Sequence, residues 1–319
     1  MRAPDVLIIA NQRATEVDGV IDFIRSRGLS VERINLCQYP EQLAFTWTPS
    51  SPTEIGQGIV GRSGWFHDPG QYSITRSLEG HGRELALREA SAFWEGAALA
   101  APCSWLNSPN SLILSSRKLY QLSRARELGI RTPATLISND RKAVLSFFEN
   151  FGGAVVKSLG NGYSVYGKEN LKLYSRYYPS APEELLEGLA FSPMIFQGRV
   201  PKKRELRVTV VEDECFGLVA DTSDLNGNEV DLRRLDYDAE RFRFSGMTVP
   251  AQVAAASLAI TESLGLAYAG LDWIEDEHEQ WLFLEINCMG AFKWSELCGA
   301  GDITTAIAEA LIRRATRND

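Results

Sequence analysis

The spacing of hydrophobic positions changes several times along the chain, and each change predicts a secondary-structure element. An apolar run, VLIIA at residues 6–10, predicts a buried strand near the N-terminus. Residues 18–27 then follow the spacing of a helix, which Gly28 would end, and residues 30–36 predict a second strand. This strand–helix–strand order predicts a small α/β domain at the start of the chain.

A further helix is predicted near residue 116, because a polar start is followed by a periodic apolar stripe. Ser115 or Ser116 would be its N-cap, and Gly129 would stop it. The stripe that should face the core consists of Leu119, Leu122, Ala125 and Leu128.

The same patterns divide the rest of the chain. Residues 49–64 are rich in Ser, Pro, Thr and Gly and predict loop and turn. Other helices are predicted at residues 82–99, 141–150, 249–264 and 303–314, and other strands at 135–137, 154–157, 207–211 and 215–220. We expect a mixed α/β (α+β) architecture in three parts, at residues 1–108, 109–193 and 194–319.

Composition narrows the class of protein. The chain has 319 residues, a net charge of −8 and a sequence pI near 5.2. This acidity argues against nucleic acid as a partner, although residues 200–204 form a local basic patch. No apolar run approaches the roughly 20 residues of a membrane-spanning helix, so we expect no membrane partner and a cytoplasmic location.

Cysteine and histidine usage excludes several kinds of site. The five cysteines include no CxxC pair, which argues against a disulfide framework and favours reduced thiols. Only three histidines are present, so a histidine-rich zinc site is not expected. The chain also has no GxSxG-like setting for a serine nucleophile.

The sequence LDWIEDEHEQWLFLEIN, residues 271–287, predicts a hairpin that carries unexpected polar groups. A symmetric register pairs Ile274 with Phe283 and Asp272 with Glu285, and Asn287 shares the face of Glu285. Two opposed carboxylates repel unless a cation lies between them, and an all-oxygen ligand set suits Mg²⁺. The alternative is a solvated polar face on an edge hairpin.

Cationic residues elsewhere could serve the phosphates that usually accompany Mg²⁺. Lys118 lies in the first turn of its predicted helix, and Lys157 ends an apolar strand before a glycine-rich loop with Gly160, Gly162 and Gly167. Alternatively, Lys118 is a solvated surface lysine, and the glycine-rich loop is an ordinary β-turn connection.

Two arginines are further candidates, because their guanidinium groups match phosphate oxygens in a bidentate way. Arg207 lies in a predicted strand, and Arg233 follows a predicted turn. Either residue could instead belong to a structural ion pair.

Taken in order, Lys118, Lys157, Asp272 and the Glu285–Asn287 segment resemble the ATP-grasp ligases over nearly the whole chain. The likeness is strongest to the maturases that make microviridin-type cross-linked ribosomal peptides (graspetides). The stretches that carry it are RKLYQLSRARELGIRTPATLISND, ELRVTVVEDECFG, NEVDLRR and FLEINCMGAFKWSELCG. It implies an ATP-grasp fold: an N-terminal α/β domain, a central domain and a C-terminal antiparallel-sheet domain with the Mg-ATP site.

The resemblance also implies a role for each matching residue. Lys118 and Lys157 would contact ATP phosphates, and Glu205 would hold the ribose. Arg207 and Arg233 would lie near the phosphates or the substrate. A hinge would read adenine through its backbone, and a metal set would bind Mg²⁺. The hinge residues are Gln197, Gly198, Arg199 and Val200, and the metal ligands are Asp272, Glu285 and Asn287.

The chain departs from the family pattern at four places. Gln197-Gly198 replaces the usual Gln-Glu of the hinge, and Glu205-Leu206-Arg207 replaces Asp-x-Arg. Residues 288–294 read CMGAFKW where the family commonly has Pro-Asn-Gly-Gln-Trp. Residues 64–69 read GWFHDP where an aromatic-Arg-Arg-Pro run is usual. The metal set is intact, so a divergent member is indicated.

The implied reaction activates a side-chain carboxylate as an acyl phosphate, which an alcohol or amine then attacks to form an ester or amide. The expected cofactors are ATP and Mg²⁺, and the expected partner is a ribosomally made precursor peptide. One alternative is an ATP-grasp ligase that joins amino acids or a small carboxylate to an amine. Another is a degenerate fold that binds peptide without catalysis. A homodimer is one option for the quaternary structure.

Overall fold

The computed structural model describes residues 3–48, 61–67, 72, 74, 78–160, 163–166, 169–172, 174–222 and 244–317. These residues form helices that pack on a parallel sheet and on antiparallel sheets, so the expectation of a mixed α/β architecture is confirmed. No helix in the described part of the chain has the length and apolar character needed to cross a bilayer.

The N-terminal sheet is parallel, with strand order β2-β1-β3-β4. Its central strand β1 is fully buried, as the apolar run predicts. The loop predicted to continue to residue 64 is too long, because β3 already begins at Ser63. The elements here are β1 (Val6–Ala10), α1 (Glu16–Ser26), β2 (Val31–Asn35), β3 (Ser63–Phe66), α2 (Gly80–Ala100) and β4 (Ser104–Trp105).

The central sheet has strand order β5-β10-β6-β9, with antiparallel pairing. Strand β10 belongs to it, and the chain leaves this sheet at residue 197. Two short strands, β7 (Tyr163–Tyr166) and β8 (Glu169–Lys172), form a separate hairpin. The other elements are α3 (Pro109–Ser115), α4 (Lys118–Glu127), β5 (Thr135–Ser138), α5 (Arg141–Phe151), β6 (Ala154–Lys157), β9 (Arg176–Tyr178), α6 (Glu183–Gly188) and β10 (Met194–Gln197).

The C-terminal sheet is antiparallel, with strand order β13-β12-β11-β14-β15. Strand β11 is its centre and pairs along its length with both β12 and β14. Its elements are β11 (Lys202–Val211), β12 (Glu214–Asp221), β13 (Phe244–Met247), α7 (Ala251–Ser263), β14 (Tyr268–Asp276), β15 (Trp281–Asn287), α8 (Lys293–Leu297) and α9 (Ile303–Thr316). The division of the chain at residues 108 and 193 stays a prediction.

One face of the C-terminal sheet is apolar and the other carries polar groups. Val208 and Val210 of β11 are fully buried in a core that also contains side chains from α4 and α7. Arg207 alternates with these valines and therefore lies on the opposite face. A second core joins the N-terminal sheet to α1, α9 and the near end of this sheet, through Val211 and Tyr268.

Helix α4 differs from its prediction in both its start and its buried face. Ser115 ends α3, Ser116 is the C-cap of α3, and α4 begins at Lys118. Leu119 is 60% exposed, whereas the polar Gln121 is 3% exposed. The predicted apolar stripe is right at Ala125, which is fully buried, and wrong at Leu119 and Leu128, which are exposed. Hydrogen bonds of Gln121 contribute to the contact that orients this helix, and apolar periodicity does not detect them.

Candidate active site

The predicted pairing of the two acidic residues in the hairpin is confirmed. Asp272 of β14 lies directly opposite Glu285 of β15. The predicted pairing of Ile274 with Phe283 is wrong, because Trp273 pairs with Phe283 and the register then shifts. Leu284 is the extra residue on β15, so the strand pair contains a β-bulge beside the acidic residues.

Three residues of this hairpin and of β11 make a connected polar group. Arg207 pairs across the strands with Asp272, and its Nη1 donates to Asp272 Oδ1 at 2.7 Å. The Asn287 amide nitrogen donates to Asp272 Oδ2 at 3.2 Å. The Asp272 side chain is 34% exposed and that of Glu285 is 21% exposed, so solvent reaches both carboxylates.

Arg207 lies in a narrow slot formed by two glycines. A Cβ atom at Gly270 or at Gly290 would approach the Arg207 guanidinium to 2.3 Å. Burial is the largest influence on the pKa of Arg207 and acts to lower it. The charge and hydrogen bond of Asp272, with the charge of Glu285, outweigh burial, so the pKa of Arg207 is raised. Arg207 is therefore a fixed positive charge beside the acidic pair.

Lys118 connects the C-terminal sheet to the central sheet. Its Nζ lies 3.2 Å from Glu285 Oε2 and donates to the Ser158 carbonyl at 3.3 Å. Ser158 directly follows Lys157, the last residue of β6. The Lys118 side chain is 24% exposed, so the alternative of a solvated surface lysine does not describe it.

Lys157 ends β6 as predicted, paired with Ile195 of β10 and half-buried. Because Lys118 contacts the carbonyl of the next residue, the end of β6 and the start of α4 lie at one junction. Gly160 follows in the loop, and the Ser158 hydroxyl donates to its carbonyl at 3.1 Å. Gly162 and Gly167 lie outside the described residues.

The predicted hinge connects the central sheet to the C-terminal sheet. Gln197 ends β10 and is 4% exposed, with its Nε2 donating to Thr135 Oγ1 at 3.1 Å. The Gly198 N–H donates to the Ala134 carbonyl at 2.8 Å. The Arg199 guanidinium lies 5.0 Å from the centre of the Tyr177 ring, and Val200 lies two residues before the start of β11. These residues therefore connect the two sheets, and their role as an adenine-reading hinge stays a prediction.

Glu205 and Arg233 are the two remaining residues that the sequence predicts for the site. Glu205 lies two positions before Arg207 on β11, hence on the same face, and accepts a hydrogen bond from Lys202. Arg233 lies outside the described residues, so its predicted role stays a prediction.

Sequence reasoning missed two buried side chains that hold this site together. Gln121 of α4 hydrogen-bonds to both backbone groups of Ile286, between Glu285 and Asn287. Asn107 accepts from the backbone N–H groups of Ala267 and Tyr268, and donates to the carbonyls of Tyr268 and Cys288. Asn107 gave no local signal. Gln121 gave no such signal either, because it lies outside the apolar stripe predicted from the sequence.

The residues present fit a hard divalent cation such as Mg²⁺. Asp272, Glu285 and Asn287 offer side-chain oxygen atoms on adjacent strands, and such oxygen ligands are the ones that Mg²⁺ prefers. Among the described residues, no three His, Cys, Asp or Glu side chains gather into a metal site. The set therefore depends on the Asn287 amide as its third oxygen donor.

The charges of the site suit a phosphate ester. Lys118 and Arg207 flank the two carboxylates, and Lys157 ends β6 of the central sheet, directly before the residue whose carbonyl Lys118 contacts. Cations of this kind can neutralise phosphate oxygens, and the carboxylates can hold a metal that bridges them. The site can therefore stabilise phosphoryl transfer without a covalent enzyme nucleophile.

No family model matches the chain, and no curated protein matches it. Solved structures do, among them the macrocyclase MdnC from Microcystis aeruginosa MRC, bound with precursor peptide MdnA. It is 26% identical, with a TM-score of 0.82, over 97% of this chain and 99% of that chain.

Two other similar structures lie below 25% identity and bear on the fold. An ATP-grasp ligase from Chryseobacterium gregarium, associated with ribosomal-peptide maturation, is complexed with ADP and with a leader and core peptide. It is 22% identical, with a TM-score of 0.83, over 98% of both chains. The ATP-grasp ligase PsnB, with a minimal-precursor variant, Mg and ADP, is 22% identical, with a TM-score of 0.77, over 98% of this chain and 99% of its own.

The architecture described above is therefore the ATP-grasp fold. The resemblance to the ATP-grasp ligases that mature ribosomal peptides is confirmed over nearly the full length of the chain.

Proposed function

We propose that this ATP-grasp ligase uses ATP to form ester or amide cross-links in a ribosomally made precursor peptide. A side-chain carboxylate of the peptide would be activated as an acyl phosphate, and a side-chain alcohol or amine would displace the phosphate. The observation that carries the proposal is the contact of Lys118 with Glu285, which joins the acidic hairpin to the end of β6 in a chain 26% identical to a peptide macrocyclase.

Asp272, Glu285 and Asn287 would hold Mg²⁺ through their side-chain oxygens. When bound, the metal would neutralise charge on the phosphate oxygens of the nucleotide. Asp272 already has two partners on the protein side, Arg207 and Asn287, which fix its orientation before any ligand binds. Such preorganisation lowers the cost of assembling a charged site.

The cations of the chain would bind the phosphates and the activated carboxylate. Lys118 would reach them from the start of α4, and Lys157 from the end of β6. Arg207 would act from β11, beside Asp272. Arg233 is assigned to the same set of phosphate-binding cations by resemblance alone. Arg207 and Arg233 are the residues we assign to the reacting groups.

The nucleotide base would lie against residues 197–200, between the two antiparallel sheets. Backbone groups of Gln197, Gly198, Arg199 and Val200 would read the adenine, and Glu205 would contact the ribose. Because Gly198 offers no side chain, adenine recognition here would rest on the backbone. Mg²⁺ and ADP in a PsnB structure of the same fold support this cofactor pair.

The peptide substrate is supported by structures with the same fold. MdnC is bound with its precursor peptide, and the Chryseobacterium gregarium ligase with a leader and core peptide. The three-part domain division, the cytoplasmic location and the homodimer stay predictions from the sequence.

Mass spectrometry of a candidate precursor tests this proposal. An acidic peptide containing Thr or Lys, encoded beside the gene, is incubated with the chain, ATP and Mg²⁺. We expect loss of one water per cross-link, together with ADP release, and no change when a non-hydrolysable ATP analogue replaces ATP. Condensation of free amino acids would favour the small-substrate alternative. Peptide binding without nucleotide turnover would favour the degenerate one.

A further inference from the structure

The backbone of β15 has a side chain as its partner at one position of its open edge. Strand β15 is the edge strand of the C-terminal sheet. At Ile286 the Gln121 amide replaces a neighbouring strand: its Nε2 donates to the Ile286 carbonyl at 2.9 Å, and its Oε1 accepts from the Ile286 N–H at 3.1 Å. This two-way bond is the contact that a further β-strand would make.

The environment of Gln121 makes this contact strong and specific. The residue is 3% exposed, so water does not compete for its amide. Its Nε2 also donates to the Ser115 carbonyl at 2.6 Å, which ties the end of α3 to the same point. An apolar side chain here would leave three buried backbone groups without these partners, which is costly.

The position of Gln121 relates it to the charged site on both elements it joins. Ile286 stands between Glu285 and Asn287, two of the three proposed metal ligands. On α4, Lys118 lies three residues before Gln121, which places both on one side of the helix. Fixing Gln121 on Ile286 therefore places the start of α4 beside Glu285, where Lys118 Nζ lies 3.2 Å from Glu285 Oε2.

We propose that Gln121 is a positioning residue that acts through Lys118, by holding α4 on the end of β15. It sets the rotation of α4 on the sheet edge, so that the Lys118 ammonium group lies beside Glu285 in the proposed metal and phosphate site. The inference rests on the nucleotide site of the proposed function, and it is independent of which substrate is ligated.

Gln121→Met tests the inference, because Met has similar volume and cannot make the amide bonds. The control is Ala125→Gly, which weakens the same helix one turn later. Ala125 is fully buried, but it makes no side-chain hydrogen bond to Ile286. We expect Gln121→Met to raise the Kd of Mg²⁺·AMPPNP about tenfold, equivalent to about 1.4 kcal/mol, with the control near wild type. Melting temperatures are measured for both variants.

A double-mutant cycle separates positioning from general destabilisation. If Gln121 acts through Lys118, Gln121→Met adds little to the Kd in a Lys118→Ala background. Full additivity of the two changes, or an equal loss in Ala125→Gly at matched melting temperature, would overturn the inference. Gln121→Asn, one methylene too short to reach both groups, carries the same test if Gln121→Met does not fold. If the wild type binds no Mg²⁺·AMPPNP, the proposed function itself fails.

Discussion

At the scale of single residues, the space that Arg207 occupies exists because two positions carry no side chain. Gly270 lies on β14 beside Arg207, and Gly290 lies in the segment after Asn287. The segment CMGAFKW departs from the family pattern, yet it keeps a glycine where the guanidinium needs room. The sequence identified Arg207 but gave no reason to connect it with either glycine.

Gly290→Ala should displace Arg207 from Asp272, because the new methyl group would lie 2.3 Å from Arg207 Nη2. We expect loss of most ATP turnover, on the order of 100-fold, from the misplaced charge. The measurement is ADP release with the candidate peptide. Gly96→Ala is the matched control, since a Cβ there meets no atom within 4 Å. Wild-type turnover in Gly290→Ala would mean that the slot is not needed.

Tyr268 provides a pH-dependent test of the packing beneath the site. Burial is the largest influence on the pKa of Tyr268 and raises it above its ordinary value, and the charge of Glu16 adds to the effect. The neutral phenol donates to the Gly290 carbonyl. A group with a raised folded-state pKa contributes stability below its unfolded pKa, here about 10, and that stability is lost at higher pH.

Tyr268→Phe should therefore flatten the alkaline part of the stability profile. At about pH 8 the free energy of unfolding of the variant should be about 1 kcal/mol lower than that of the wild type, because one hydrogen bond is removed. Between about pH 9 and pH 11 its melting temperature should fall less than that of the wild type. Melting curves over this range decide the matter. Parallel profiles for the two proteins would contradict the account of Tyr268.

At the scale of elements, the sequence predicted the positions of the strands better than the strand register and the buried face of α4. The bounds of β6 and the pairing of Asp272 with Glu285 followed from apolar runs and from a symmetric hairpin. The bulge at Leu284 did not, because an extra residue in one strand leaves the alternation of polar and apolar residues ambiguous. The buried face of α4 was predicted correctly at Ala125 but not at Leu119 or Leu128, because the helix turns the hydrogen-bonding Gln121 toward the sheet.

Asn107 shows a long-range tie that periodicity cannot reveal. Its side chain joins the end of the N-terminal region to the first residues of β14 and to Cys288, just after β15. The partners are 160 or more residues away in sequence. A single polar side chain thus fixes both open ends of the hairpin that carries the acidic pair.

Asn107→Ala should destabilise the protein by about 3 kcal/mol or more, because four backbone groups, three of them in buried hydrogen bonds, lose their partner. Denaturant unfolding measures the change. Asn110→Ala is the control, since Asn110 is exposed on the neighbouring α3. An equal and small effect in both variants would show that the four bonds contribute little.

At the scale of the whole molecule, the site lies where the central and C-terminal sheets meet. Lys118 and the end of β6 approach from one side, and Asp272, Glu285 and Arg207 from the other. Residues 197–200 connect the two sheets. The order of these residues along the chain indicated the family, but the sequence alone could not bring them together, because the contact of Lys118 with Glu285 spans more than 150 residues.

The N-terminal sheet shares a core with the near end of the C-terminal sheet, and two buried groups reinforce that junction. His67 is fully buried and pairs with Glu16 of α1, and the Trp65 ring stacks on it with centroids 4.4 Å apart. His67 stands in the segment where the family pattern has arginines, and its ring centroid lies 6.0 Å from that of Tyr268 and 6.1 Å from that of Phe292. Through these ring contacts the divergent segment has a structural role in joining the N-terminal part to the C-terminal sheet.

Magnesium-dependent nucleotide binding tests the central claim most directly. Titration calorimetry compares AMPPNP binding, with and without Mg²⁺, to the wild type, Glu285→Gln and Glu277→Gln, an exposed control in the same hairpin turn. We predict that Mg²⁺ tightens binding to the wild type and the control, and that Glu285→Gln loses most of this gain while its melting temperature stays close to wild type. An undiminished effect of Mg²⁺ in Glu285→Gln would contradict the assignment of the metal site.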